Sequence, residues 1–150
     1  MESDRTGRRF LTRMSSACGK GRYSIALMHR IWFGLGSFAG LTAVMMAAVS
    51  AHGLRERLDP AVLQSVGIAV QMHGWHALAL LACGIWRVRD APRLVDLAAT
   101  AFALGLLLFC SAVYAPALAG IRLPMAAPAG GIMLMGGWVV LGLAAAVPTR

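Results

Sequence analysis

The chain has 150 residues, of which 59% are apolar and 13% charged. An ordinary soluble domain has about a quarter charged residues, so this composition excludes a free soluble protein and a disordered chain, and the length allows one domain. Mean hydropathy is +0.70, and the net charge of +8 leaves a membrane protein whose few charges are mostly basic.

Residues 1–30 are polar, basic and without apolar periodicity. They are expected to form a disordered cytoplasmic tail, with Met28 as a second candidate start. The rest of the chain, 31–147, is expected to be one domain of four transmembrane helices. The warrant is the spacing of charge. Uncharged runs cover Ile31–Leu54, Pro60–Trp86, Leu97–Ile121 and Leu123–Thr149. About 20 apolar residues cross a hydrocarbon core, and all four runs exceed that length. Lipid offers the backbone no hydrogen-bond partners, so each run should be a helix. The period-2 alternation of a membrane barrel is absent. The expected fold class is therefore all-α, an up-and-down four-helix bundle with helices at about 31–52, 61–86, 94–119 and 126–147.

The first run begins after a basic segment, which also fits a secretory signal cleaved after Val49-Ser50-Ala51. It is longer than the roughly 7–15 residues of a signal core. The second helix has Asp59 as N-cap and Pro60 in its first turn. The third should end near Gly120, after a bend at Pro116. Pro124 and Pro128 bracket the start of the fourth.

Lys and Arg concentrate on the cytoplasmic side of membrane proteins. The tail, the connection between the second and third helices and the C-terminus hold eleven of them, against three at Arg55, Arg57 and Arg122. Both termini are thus expected in the cytoplasm of a bacterial inner membrane, with Trp32 and Trp86 as interfacial anchors. The basic excess reads as a topology signal and an attractor for anionic lipid. No nucleic-acid-binding module is visible. Cys18, Cys83 and Cys110 form no CxxC pair, so no disulfide framework or zinc site is implied.

Small residues mark where membrane helices approach closely. Gly36 and Gly40 form a GxxxG in the first helix, and Gly130 and Gly131 open a glycine-rich fourth helix. They serve packing within the bundle or a homo-oligomer seam. The expected partners are membrane lipids, a second copy or other membrane proteins.

Ionisable residues at membrane depth are functional candidates. His73 and His76 share a face of the second helix, and His52 lies at the outer end of the first. With Tyr114, Ser111 and Gln71 they are expected to form one polar cluster in the outer half of the membrane. Metal needs three or four converging ligands, and paired haem ligands need matching depth; His52 lies about 12 Å from His73 by axial count. Neither a cofactor nor a metal site is therefore expected. The membrane methionines read as core packing. No carboxylate lies deep in a span, so no catalytic constellation is expected.

Several segments carry a resemblance. They are Ala51-His52-Gly53-Leu54, His76-Ala77-Leu78-Ala79-Leu80-Leu81, Leu108-Phe109 with Tyr114, Leu118-Ala119-Gly120, and Pro128-Ala129-Gly130-Gly131 followed by Gly137-Trp138. In order and spacing the chain resembles the YgdD-like small inner-membrane proteins, domain of unknown function four-two-three. The resemblance implies a retained first helix, both ends in the cytoplasm and no established activity. The chain departs from it at His73, where the family often has Gln, and at Cys110-Ser111-Ala112, where it has Ser-Gly-Ser. His52, His76 and Tyr114 are then the residues to which it points.

The reading is an uncharacterised multi-pass membrane protein, non-enzymatic, with a structural or accessory role. The alternative is a small oligomeric transport or conduction module using the His/Tyr cluster. Reporter fusions at both termini are expected to register cytoplasm; a periplasmic C-terminus overturns this orientation.

Overall fold

The computed structural model describes residues 27–89 and 91–147. The expected tail lies outside the described residues except for its last four positions. Four helices, each long and apolar enough to cross a membrane, make up the fold: α1 (Leu27–Leu54), α2 (Pro60–Arg87), α3 (Leu94–Ala119) and α4 (Ala126–Ala146). They run up and down, and no strand occurs among the described residues. Leu27 and Met28 already belong to α1, so the first helix starts before the charge-free run does.

The ends follow from local chemistry. The last five residues of α1, Ser50–Leu54, widen into a π-turn. Asp59 caps α2 by accepting from the Ala61 backbone N–H at 2.9 Å, and Pro60 occupies the first turn. Gly120 closes α3 with φ 70°, a left-handed backbone that costs glycine little. There the Gly120 N–H reaches Pro116 O at 3.1 Å, the 5→1 bond of an αL end, and the Ile121 N–H reaches back to Ala115 O at 3.3 Å.

Both faces of each helix are apolar, so packing shows instead in the spacing of buried positions. On α2 they include Val66, Ala69, His73, His76, Leu80, Cys83 and Arg87, alternating steps of three and four. That is the seam of helices packed at shallow angles. On α1 the buried set includes Trp32, Gly36, Ala39 and Ala43.

Glycine lets backbones close where a Cβ would collide. A Cβ on Gly130 would stand 2.5 Å from Phe109 N and 2.8 Å from Gly105 O, and one on Gly36 3.0 Å from Ala77 O. At Gly137 it would meet the Phe102 ring at 2.6 Å, and at Gly84 the Phe33 ring at 2.9 Å. Gly40 and Gly131 have nothing within 4 Å. Of the four packing glycines expected from sequence, Gly36 and Gly130 make close approaches, and Gly40 and Gly131 sit on open faces.

At the basic end, a polar clamp ties three helices. Asp96 Oδ1 accepts from Trp32 Nε1 at 2.9 Å and lies 3.0 Å from Arg87 Nε. The Nε–H is not directed at that oxygen, so the contact is a charge pair and not a hydrogen bond. Arg87 Nη1 donates to Ala91 O at 2.6 Å. Arg87 is 7% exposed, as is Trp32. Read from sequence as a loop charge and an interfacial anchor, both are internal joints.

Replacing Gly130 by Ala forces backbone apart. The expected loss is about 1–3 kcal/mol, the usual cost of overpacking, measured by thermal unfolding in detergent. Gly131→Ala, one residue on, is expected to leave the midpoint unchanged or raise it.

Candidate functional site

Counting from Arg87, His76 lies about 17 Å and His73 about 21 Å along α2, near the middle of the span. They are 4% and 8% exposed. Three residues turn a helix by about 300°, so the two rings leave the axis about 60° apart. That divergence places them in different surroundings.

His76 faces α3 and α4. Its Nδ1 stands 2.7 Å from Met72 O, one turn back. Trp138 Nε1 donates to its Nε2 at 3.1 Å. A carbonyl only accepts and an indole only donates. His76 is therefore a neutral imidazole with its proton on Nδ1, and both ring nitrogens are committed. Phe102 completes the cluster, with ring centroids 5.5 Å from His76 and 5.0 Å from Trp138 in tilted and edge-on arrangements. Gly137 leaves the space that the Phe102 ring fills.

His73 faces α1 and α3. Its Nε2 lies 3.2 Å from Thr42 Oγ1, and its Nδ1 lies 3.4 Å from Tyr114 Oη. Thr42 Oγ1 is also 3.0 Å from both Phe38 O and Ala39 O. A three-residue chain thus links the α1 backbone to Tyr114 through an imidazole.

The expected single cluster is two separate ones. His73 and Tyr114 come together; His76 stands apart with Trp138 and Phe102. His52 is exposed in the π-turn at the far end of α1. Gln71 is exposed, and Ser111 Oγ bonds back to Leu108 O at 3.1 Å. Sequence reasoning gives no role to Thr42 or Phe102, and it names Trp138 only within the Gly137-Trp138 segment of the resemblance. One signal for Trp138 was present: a tryptophan in mid-span, away from either interface, needs an acceptor for its N–H. Among the described residues, no group of three or more His, Cys, Asp or Glu side chains is placed to hold a metal ion.

The fold and these internal bonds define a small multi-pass integral membrane protein. Residues 46–131 match the family model for a protein of unknown function, DUF423, and the chain belongs to that family. It is 28% identical over 106 residues to a UPF0382 membrane protein of Haemophilus influenzae, covering 70% of this chain and 85% of that protein. It is 30% identical over 113 residues to a UPF0382 membrane protein of Staphylococcus saprophyticus, covering 75% and 93%. No solved structure matches it.

The His76–Trp138 bond is testable by a double-mutant cycle with His76→Phe and Trp138→Phe. The expected coupling is about 0.6–1.7 kcal/mol, the range for polar pairs between membrane helices. In the Trp138→Phe protein, the nitrogen-15 resonance of His76 Nε2 should move to that of an unbonded ring nitrogen.

Proposed function

We propose that the protein is a non-enzymatic accessory protein of a bacterial inner membrane, with both termini in the cytoplasm. The observation that carries this reading is the closure of His76. A proton arriving at Nε2 would set two donors, imidazolium N–H and indole N–H, against each other. His76, one of the two histidines buried near mid-span, is then a strut between α2 and α4 and not a proton carrier. The orientation draws its support from the eleven basic residues on one side against three on the other. Lipids are the partners in this reading, together with a second copy or another membrane protein against the open faces at Gly40 and Gly131. No nucleic acid or cofactor takes part.

A conduction module is the competing reading, and the Thr42–His73–Tyr114 chain is what favours it. Proteoliposomes of wild type, His76→Ala and His73→Ala separate the two. The expected result is proton flux no greater than that of protein-free vesicles in all three. Flux in the wild type that either substitution abolishes, at equal incorporation, overturns the accessory reading.

A further inference from the structure

Beside the His73 chain lies a cavity of about 530 Å³ between α1 and α3. That is within the roughly 300–1,000 Å³ of small-molecule sites. Its wall is almost wholly apolar, with Phe38 and Leu107 at exposed positions, and Thr42, His73, Ser111 and Tyr114 supply its polar atoms. No Lys, Arg, Asp or Glu is among the described residues that line it. An ionic head group therefore has no counter-charge here, and burying one without a partner is expensive.

Depth narrows the choice. Thr42 is 12 residues from Leu54 and His73 is 13 from Pro60, about 18–20 Å from those helix ends. A glycerophospholipid keeps its phosphate at the interface, so only an acyl tail reaches this level. A tail fills the apolar wall but offers the polar floor nothing to bond.

The chain of hydroxyl, imidazole and phenol runs in either direction. With Thr42 donating to an α1 carbonyl, His73 Nε2–H donates to Thr42 and the Tyr114 hydroxyl donates to His73 Nδ1. The Tyr114 oxygen then accepts from a ligand. With Thr42 donating to Nε2, His73 Nδ1–H donates to Tyr114, and the phenol hydroxyl donates onward, to Cys110 Sγ or to a ligand. In both directions Tyr114 has one further bond to make, for which a ligand in the cavity competes with the neighbouring Cys110 thiol, and its sense reverses. The occupant that suits this is uncharged, has a long apolar body, and carries an oxygen that accepts in one state and donates in another.

We propose that this cavity binds an isoprenoid quinone, with the head-group oxygen on Tyr114 and the prenyl tail along the gap between α1 and α3. The carbonyl of the quinone takes the phenol hydrogen; the hydroxyl of the quinol gives one to the phenol oxygen. The proposal is one of binding only and goes beyond the accessory reading, which stands or falls separately on the flux measurement.

The test uses the full chain in nanodiscs of phosphatidylethanolamine and phosphatidylglycerol, titrated calorimetrically with decylubiquinone. Saturable binding is expected, about tenfold weaker in Tyr114→Phe and lost in Ala103→Phe, which fills the cavity. The infrared carbonyl stretch of the bound quinone should be lowered in the wild type and return to its free value in Tyr114→Phe, a change that a merely structural tyrosine would not produce. No saturable binding to the wild type overturns the proposal. So does equal affinity for dioctanoylglycerol, which marks a general neutral-lipid groove, or a carbonyl stretch indifferent to Tyr114→Phe.

Discussion

Lipid supplies no hydrophobic drive between one apolar helix and the next, so this bundle depends on how closely its backbones approach. The contact at Gly130, where α4 meets Phe109 and Gly105 of α3, leaves no room for a single methyl group. Its consequences spread along the same pair. Gly137, two turns on, clears the space for the Phe102 ring. That ring in turn packs on His76 and Trp138. The position of a polar bond near mid-span thus follows from absent side chains on a neighbouring helix.

The polar groups obey a second constraint. In hydrocarbon an unpartnered donor or acceptor costs several kcal/mol, so most of them end on another polar group, Arg87 Nε being held by charge alone. Arg87 and Asp96 meet across the α2–α3 turn, and Trp32 adds its N–H to the same carboxylate oxygen. This clamp orders the basic end by attraction, whereas the glycines order the middle by closeness. It also changes the meaning of Arg87. That residue weighs in the topology count like any loop arginine, yet its guanidinium is a buried joint between Asp96 and the Ala91 carbonyl.

The spans were legible in the sequence because a gap in charge is a one-dimensional signal. The Asp59-Pro60 start of α2 and the Gly120 end of α3 were legible because caps are local. Facing was not legible. A helix between lipid and protein is apolar on both sides, so hydropathy does not separate them. Gly36 from Gly40, or Gly130 from Gly131, differ only in which neighbour happens to be near. The histidines illustrate the same limit. Axial counting gave the depth of His73 and His76, but about 60° of azimuth decided that one meets Trp138 and the other Thr42 and Tyr114. His52 shares the membrane side of His73, but about 12 Å of axial distance keeps it out of the cluster.

The bundle is asymmetric, and the two sides of α3 differ in composition. The one glycine within α3, Gly105, faces α4. Toward α1 the same helix presents Leu104 and Leu107, both largely exposed. On α1 itself, Phe38, Leu41 and Val44 remain outside the core. Helices α3 and α4 close to backbone contact while α1 and α3 leave a cavity between them. The two histidines divide along this line. His76, on the closed side, has each ring nitrogen bonded to a group whose role is fixed. His73, on the open side, joins a hydroxyl and a phenol whose hydrogens can be exchanged end for end. Adaptable polar chemistry thus lies beside the one helix whose packing leaves it accessible.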